Sequence, residues 1–478
     1  MLDNFYPRDQ RAIFTNRTRE LALLEQFQTR IDRGEPQRLA IWGQRRIGKT
    51  LLLREFCARL LEQNWPGLLA YVDLELITSS PENFALGYIG HILHWHRTRW
   101  RELPPDLFSL TTLDQMALAG DERAVREAVS ALHQHFAQEK PNRHALLTLA
   151  FNLPDRLSKE LGQPAIVILD EFPELLSLER YEGIRVLPLF RGLMQQSPVS
   201  YILAGSAVAA MQWMTDDHES PLFAQLDRLS LGPFPPEDTR ALVYKLMPDL
   251  SDPSIPDEIA RLSGGYPYYI RCLVRGLENI LHLHQISPSP DAVRHAFLLE
   301  SLSPEGCIYT FCQYIFDTSL QKAVGYGPLK AVMQLLAEGE ERPARLARRL
   351  KVSQPAIWGY LRRLEEVGLV VKNNGAYRYR DPVLQFWVAA ATRGVQVGPH
   401  PRRQDLAGLV HLLEERFQRT ASELGLAKEF EVRELLRRLA GQPVAGELLG
   451  TTGALTLPAF SSVDPWRSPD GQASSRGS

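Results

Sequence analysis

Short apolar runs that end in polar residues alternate with helical patterns along the first half of the chain. Each run has the length of a buried strand, and the run before Asp170 is enriched in β-branched residues. Five strands are predicted in this way, at residues 39–42, 67–76, 165–169, 199–207 and 227–234. Because strands that alternate with helices form parallel sheets, we expect an α/β domain that binds its ligand at the carboxyl ends of the strands.

Helical spacing fills the other segments up to about residue 288. A first helix is predicted at a capping residue, Thr18. Its apolar face consists of Leu21, Leu23, Leu24 and Phe27. Residues 81–161 read as helices only, an insertion longer than a connection between parallel strands requires. From 235 to 288 the pattern is helical again, interrupted by GGYPYY at 264–269.

A different unit is predicted at residues 328–388. Three amphipathic helices precede two strands around Asn373-Asn374-Gly375, and Ser353 is placed to cap the third helix. Three helices and a hairpin predict a winged helix-turn-helix. Helices are expected to continue from 401 to about 439, and the Ser-, Gly- and Pro-rich residues 463–478 are expected to be disordered.

Length and composition indicate the number of domains and the cellular compartment. A chain of 478 residues is too long for one hydrophobic core and suggests about three domains. With 44% hydrophobic and 23% charged residues, a net charge of −2 and four scattered cysteines, it is typical of a cytoplasmic protein with reduced thiols. We expect no membrane segment and no signal peptide, because no apolar run reaches about 18 residues and the N-terminus lacks a charged-then-apolar order.

The first candidate site is the turn after the strand at 39–42. GQRRIGKT, from Gly43 to Thr50, fits the phosphate-loop pattern G-x-x-x-x-G-K-[ST] between a strand and a helix. Backbone N–H groups and the helix N-terminus would bind phosphate, Lys49 would reach the β and γ phosphates, and the Thr50 hydroxyl would ligate Mg²⁺. The predicted nucleotide-binding residues are Gly43, Gln44, Arg45, Arg46, Ile47, Gly48, Lys49, Thr50 and Leu51. The alternative is a tight glycine turn with an exposed lysine.

Two carboxylates end the strand at 165–169. As a buried parallel strand would, PAIVILDEF places Asp170 and Glu171 at the ligand edge of the sheet. Asp170 is predicted to hold Mg²⁺ with Thr50, directly or through water, and Glu171 to orient or deprotonate the water that attacks the γ-phosphate. The alternative is a pair of surface carboxylates at a strand end.

These blocks together resemble the prokaryotic ATPases of the AAA+ and STAND group, particularly the archaeal-type ATPases with a C-terminal winged helix. The resemblance covers roughly residues 10–390 and depends on the order of several short blocks. They are FTNRTREL, GQRRIGKT, ILDEFPEL, ILAGSAVAAM, LDRLSLGPF, SGGYPYYI and YRYRDPVLQFWV. The resemblance implies an ATPase core at 1–234 with the insertion 81–161, a helical lid at 235–300, a winged-helix domain at 301–395 and a helical region with a disordered tail at 396–478.

The resemblance also implies roles for single residues. Ser206 would be a sensor beside the γ-phosphate, and Arg228 an arginine that responds to nucleotide state. Pro267 of the lid turn would lie near the adenine. Arg271 lies one turn beyond the place where AAA+ proteins carry a lid arginine, and Asn16 occupies a position where relatives commonly have glycine, which Asn tolerates at positive φ better than most residues.

The winged-helix segment carries the main charge asymmetry. Between Arg342 and Lys372, eight basic residues against Glu365 and Glu366 give 8 − 2 = +6, a local excess typical of duplex binding. The predicted nucleic-acid contacts are Arg348, Arg349, Arg362 and Arg363. The alternative, packing of the winged helix against the nucleotide domain, stays open because Trp358 is bulky for a DNA-reading helix.

Two further patterns resemble a metal site and a nuclease site. His91, His94 and His96 lie close in sequence, but on a helix His96 projects away from His91, so we expect a helix surface with Trp95 and Trp100 buried rather than a metal site. Asp470 resembles the first carboxylate of a restriction-nuclease-like site, but no Glu or Lys follows it, so we do not expect a nuclease.

The sequence therefore predicts an ATP- and Mg²⁺-dependent molecular switch that hydrolyses ATP, slowly or under stimulation by a partner. Its winged helix would contact double-stranded DNA or a partner protein, and a homo-oligomer is open. The alternatives are a DNA-binding regulator that keeps ATP as a structural ligand and a protein scaffold without significant turnover. Glu171 favours hydrolysis, since a protein that only binds ATP does not need it.

Overall fold

A computed structural model describes residues 3–99, 101–323 and 325–398, with short pieces at 409–410, 413, 443–445 and 454–456. The chain divides into two compact units. The first comprises residues 1–297, 317–324 and 362–369, and the second comprises 298–316, 325–361 and 370–478. The predicted domain boundaries stay predictions.

The first unit is built on a five-stranded parallel sheet with the order β2-β3-β4-β1-β5. Its strands are β1 (Arg38–Trp42), β2 (Leu68–Asp73), β3 (Ala165–Asp170), β4 (Ser200–Gly205) and β5 (Asp227–Ser230). The three inner strands are almost wholly buried, which is why they read as continuous apolar runs. The predicted parallel α/β sheet is confirmed.

Helices connect the strands and extend beyond them. Up to residue 302 they are α1 (Arg8–Ala12), α2 (Thr18–Asp32), α3 (Lys49–Glu62), α4 (Leu74–Ile77), α5 (Pro81–Thr98), α6 (Leu110–Leu118), α7 (Arg123–Phe136), α8 (Arg143–Leu161), α9 (Val186–Gln196), α10 (Val208–Asp216), α11 (Pro236–Leu246), α12 (Ser254–Ser263), α13 (Pro267–His284) and α14 (Pro290–Leu302). A 3₁₀ helix covers Phe172–Arg180. Helices α5 to α8 occupy the predicted insertion, and α11 to α14 begin within the range 235–300 that is predicted to be a lid.

Three local predictions are wrong. β2 ends at Asp73 rather than at 76, because the Asp73 carboxylate accepts a hydrogen bond from Glu75 N and caps α4. Thr18 does not cap α2: the N-cap is Arg17, which has a left-handed φ of 58°, and the Thr18 hydroxyl donates to Asn16 instead. Leu23 is 39% exposed, while Ile31 shares the buried face of α2.

The three histidines of α5 have different surroundings. His91 Nδ1 lies 2.7 Å from the Gly87 carbonyl oxygen, and His96 Nε2 lies 2.7 Å from a carboxylate oxygen of Glu122. His94 is buried, contrary to the expected surface position, and burial lowers its pKa. Trp95 is buried as predicted, whereas Trp100 lies outside the described residues.

The remaining elements are α15 (Cys307–Lys322), α16 (Tyr326–Leu336), α17 (Pro343–Leu350), α18 (Gln354–Glu366), β6 (Val370–Asn373), β7 (Ala376–Tyr379) and α19 (Pro382–Thr392). β6 and β7 form an antiparallel hairpin whose two turn residues, Asn374 and Gly375, both have positive φ. The Tyr379 hydroxyl donates to the Met333 carbonyl at 2.7 Å and so attaches the hairpin to α16. The predicted winged helix is confirmed.

Two short antiparallel strands, β8 (Pro443–Ala445) and β9 (Ala454–Thr456), occur where only helices and a tail were predicted. The predicted disordered tail and Asp470 lie outside the described residues. In the described part of the chain, none of the helices combines the length and apolarity needed to cross a membrane.

Candidate nucleotide site

The phosphate loop joins β1 to α3, as the motif predicts. Gly43 is required by a close approach, because a Cβ atom there would lie 2.6 Å from the Leu231 carbonyl oxygen. Gly48 has a φ of +104°, which favours glycine, and it immediately precedes Lys49, the first residue of α3. No side chain caps this helix, so its first N–H groups are free of side-chain acceptors and suit an anion.

Lys49 lies inside the loop and is only 4% exposed. Its ammonium donates to the Gly43 carbonyl at 2.9 Å and to the Gln44 carbonyl at 3.3 Å. Burial lowers the pKa of Lys49, while the negative charges of Glu171 and Asp170 oppose that shift. The loop thus contains a buried cation whose hydrogen-bond partners are neutral backbone carbonyls.

Asp170 is the centre of a hydrogen-bond group at the end of β3. Its Oδ2 atom accepts from the Thr50 hydroxyl at 2.9 Å and from the Tyr71 hydroxyl, and its Oδ1 atom accepts from Glu171 N at 3.0 Å. Asp73 ends the neighbouring strand in register with Asp170. Burial, to which the Asp170 charge adds, raises the pKa of Asp73 to about 6. Negative charge therefore accumulates at this edge of the sheet.

The Glu171 side chain lies beside this group but has its own hydrogen-bond donors. Its backbone has a left-handed φ of 50°, uncommon for a glutamate, which turns the chain out of the strand. Its Oε2 atom accepts from Ser206 N at 3.0 Å and from the Ser206 hydroxyl at 2.8 Å. The predicted base and the predicted sensor are therefore in direct contact.

These side chains suit a phosphate and a divalent cation. A hydroxyl and a carboxylate are hard oxygen ligands of the type that Mg²⁺ prefers, and Mg²⁺ usually needs phosphate oxygens as well. Among the described residues, three or more His, Cys, Asp or Glu side chains are nowhere grouped to hold a metal by themselves. A cation between Thr50 and Asp170 would accordingly depend on a bound nucleotide.

A buried arginine outside the motif donates a hydrogen bond to the phosphate loop. Arg17 is 7% exposed and donates to the Ile47 carbonyl at 3.0 Å and the Gly232 carbonyl at 2.9 Å. Its guanidinium pairs with Glu20 at 3.0 Å and lies 4.7 Å from the centre of the Phe234 ring. Asn16, with a φ of 50°, donates to Asp238 of α11. The FTNRTREL block therefore contacts both the phosphate loop and α11.

Helix α13 contacts the phosphate loop through an aromatic ring. The guanidinium of Arg46 lies 4.2 Å from the centre of the Tyr268 ring, one residue after Pro267 at the start of α13. Arg45 instead forms an ion pair with Glu75 at 3.1 Å. Two arginines that the motif leaves unspecified thus connect the loop to different neighbours.

The other predicted nucleotide-sensing residue, Arg228, lies elsewhere. It is on the edge strand β5, where it forms an ion pair with Asp216 at 2.7 Å, and its role stays a prediction. Arg271, one turn beyond the usual place of a lid arginine, is exposed on α13.

The basic residues of the winged helix are partly neutralised by nearby carboxylates. Arg349 pairs with Glu338 at 2.8 Å, Arg345 with Glu341 at 3.3 Å, and Arg362 with Glu366 at 3.4 Å. Two of these glutamates lie just before the window that has a net charge of +6. Arg348 is exposed and Arg363 is half-buried.

Comparisons with known proteins agree with this architecture. The structure of the Walker-type ATPase PABY2304 of Pyrococcus abyssi matches with a TM-score of 0.56 at 17% identity, over 80% of this chain and 97% of that one. The chain has the fold of a Walker-type ATPase. The Aeropyrum pernix ORC2 protein, in its ADPNP and ADP complexes, matches with a TM-score of 0.47 at 18% identity, over 81% of this chain and 99% of that one.

Sequence comparison matches the winged-helix segment to a known family. Residues 330–372 match the family described as bacterial regulatory protein, arsR family, which covers α16 from Lys330, all of α17 and α18, and most of β6. The search of curated proteins found no match.

Sequence reasoning missed Tyr71 and Arg17. Tyr71 lies in a strand of otherwise mostly apolar buried residues, so the sequence pattern does not distinguish its hydroxyl as a functional group. The buried position of Arg17 could have been suspected from the sequence. Arg17 is a charged residue immediately before a helix, in a block that resembles a known family, and such a residue is a candidate for a buried contact.

Proposed function

We propose that the chain binds ATP with Mg²⁺ and hydrolyses it, and that its nucleotide state controls the winged-helix segment. The observation that carries the proposal is the meeting of Lys49, Thr50, Asp170, Glu171 and Ser206 at one edge of the sheet. They come from the ends of β1, β3 and β4, which are adjacent strands. A purely structural edge has no need of a buried lysine, a shared carboxylate and a separately held glutamate together.

Lys49 supplies positive charge to the bound phosphates. Its present partners are two neutral carbonyls, which it would exchange for charged phosphate oxygens, a stronger type of hydrogen bond. The helix N-terminus behind it adds N–H donors at no cost in reorganisation. Mg²⁺, when bound by Thr50 and Asp170 with the nucleotide, neutralises part of the phosphate charge.

Glu171 is the proposed base, and Ser206 controls when it is available. The Ser206 hydroxyl donates its single proton to Glu171 and cannot donate it to a phosphate at the same time. When the Ser206 hydroxyl turns to the γ-phosphate, Glu171 keeps the Ser206 N–H but loses the hydroxyl, and its carboxylate can then orient and deprotonate a water molecule. The contact therefore couples the presence of the γ-phosphate to activation of the base.

The winged helix is the proposed output. Exposed basic side chains on α17 and α18, including Arg348, suit the phosphates of duplex DNA. A protein partner is the second candidate, favoured by the ion pairs that neutralise Arg349 and Arg362 and by Trp358, which is 45% exposed on α18. Homo-oligomerisation stays a prediction.

The test is the ATPase rate of the full chain with and without Mg²⁺, and with and without duplex DNA. Mg²⁺-dependent release of phosphate is expected, together with a change in rate on addition of duplex. Absence of ATP binding would refute the proposal. Hydrolysis that is indifferent to duplex at low salt, where electrostatic binding is strongest, would favour the protein partner.

A further inference from the structure

Tyr71 is a buried tyrosine that the phosphate-loop motif does not include. It lies on β2, next to β3, and it is 6% exposed. Its hydroxyl donates to Oδ2 of Asp170, the same atom that accepts from the Thr50 hydroxyl. One carboxylate oxygen is thus shared by a residue of the phosphate loop and a residue of the neighbouring strand.

Counting acceptor positions shows what this sharing does to Asp170. An ionised carboxylate has about four lone-pair positions, two on each oxygen. Two hydroxyls occupy those of Oδ2, and the backbone N–H of Glu171 occupies one on Oδ1. One position is left, on Oδ1. Donors on both oxygens therefore prevent the carboxylate from rotating and fix the direction of the remaining lone pair.

Tyr71 is itself held in place by residues far from the loop. Trp95 of α5 donates its indole N–H to the Tyr71 carbonyl at 2.9 Å. The Phe5 ring packs edge-on against Tyr71, at 5.3 Å between ring centres, and against Trp95, at 4.9 Å. The Tyr71 ring therefore has little freedom to move, and the helical insertion contributes to fixing it.

We propose that Tyr71 is a positioning residue for the cation of the nucleotide site, which acts by orienting the Asp170 carboxylate. The inference rests on the proposed function, because it concerns the Mg²⁺ that would accompany the nucleotide. Tyr71 does not touch nucleotide or metal in this role. It acts through Asp170, as hydrogen-bond partners of metal ligands commonly do.

The Tyr71→Phe variant removes one hydroxyl and keeps the ring and its packing. Loss of such a partner typically weakens metal binding by about 10- to 100-fold, and we expect a loss near the lower limit, about 10-fold, because Thr50 and Glu171 N still hold Asp170. The measurement is a titration of Mg²⁺ into the complex of the full chain with fluorescent mant-ADP. The affinity for mant-ADP in EDTA should stay at the parent value.

Tyr201→Phe is the matched control. Tyr201 is a buried tyrosine of the same sheet, on β4, and its ring packs on Phe190 rather than at the ligand edge. A Mg²⁺ affinity of Tyr71→Phe equal to that of the parent would overturn the inference, and so would an equal loss in Tyr201→Phe, which would indicate a general loosening of the sheet. A parent protein that binds no mant-ADP would overturn the proposed function together with this inference.

Discussion

Replacing Lys49 by Met tests the nucleotide site most directly. The substitution keeps the length of the apolar stem and removes the ammonium. Hydrogen bonds to charged groups contribute about 1.5–3 kcal/mol each, so contacts with two phosphates would contribute about 3–6 kcal/mol. Lys49 must first leave the carbonyls at 2.9 and 3.3 Å, which reduces the gain by roughly 1 kcal/mol. The net loss in Lys49→Met is then about 2–5 kcal/mol, or roughly 30- to 3000-fold in affinity.

The assay is a titration of ATP with Mg²⁺ into the parent and Lys49→Met, followed by calorimetry or by fluorescence of a labelled nucleotide. Without nucleotide, the variant should unfold at a similar temperature, because the lost carbonyl contacts are offset by no longer burying a cation. Nucleotide at about 100 times the parent's dissociation constant should stabilise the parent by about 2.7 kcal/mol. At that concentration the variant should gain about 0.9 kcal/mol after a roughly 30-fold loss of affinity and almost nothing after a roughly 3000-fold loss.

The control is the same substitution at Lys159 of α8, which pairs with Asp155 at 2.8 Å and is 57% exposed. Lys159→Met should bind nucleotide like the parent. An affinity of Lys49→Met within about threefold of the parent's corresponds to only ~0.7 kcal/mol and would refute the assignment.

Three further predictions concern the proposed base, the winged helix and the ion pair between Arg97 of α5 and Glu122, whose charged atoms lie 2.6 Å apart. Glu171→Gln should bind ATP with parental affinity but lose about 100-fold or more in single-turnover hydrolysis, because the amide cannot take a proton; a parental rate would place the base elsewhere. Reversal of Arg362 and Arg363 to Glu should abolish salt-sensitive duplex binding and leave basal ATPase unchanged; altered ATPase with weak DNA binding from the outset would instead favour a packing role. Arg97 lowers the pKa of Glu122 to about 2, so this ion pair should stabilise the fold above about pH 4.5 and lose its effect as the pH falls toward 2. Melting of the parent and Glu122→Gln should differ by about 1 kcal/mol at pH 7, after allowance for solvent screening, and the difference should shrink toward pH 3.

The parallel sheet and the phosphate loop could be predicted from the sequence because both depend on local patterns. Buried parallel strands require uninterrupted apolar runs, and the phosphate loop requires Gly43 and Gly48 at fixed spacing. The hairpin turn was equally readable, since Asn374 and Gly375 tolerate the positive φ that a two-residue turn imposes. In each case the backbone geometry limits which residues can occur.

What sequence reasoning missed depends on long-range contacts. The left-handed conformation of Arg17, which moved the helix cap, is set by its bonds to the Ile47 and Gly232 carbonyls, the second of which is 215 residues away. The contact of Ser206 with Glu171 likewise depends on β3 and β4 being neighbours. The net charge of +6 counted for the winged helix omits Glu338 and Glu341, which lie just before Arg342 and pair with Arg349 and Arg345 in the fold.

The position of β1 between β4 and β5 has a consequence for synthesis of the chain. Gln37, just before β1, donates to the Ser200 hydroxyl oxygen 163 residues later. At about 5–20 residues per second, a ribosome needs roughly 8–40 s to synthesise both partner strands after β1. The helices of the insertion make local contacts and can form within that time, whereas β1 exposes its apolar residues until about residue 230 has emerged. The strand before the phosphate loop therefore cannot complete its pairing until β4 and β5 have been synthesised, and until then it needs protection from aggregation.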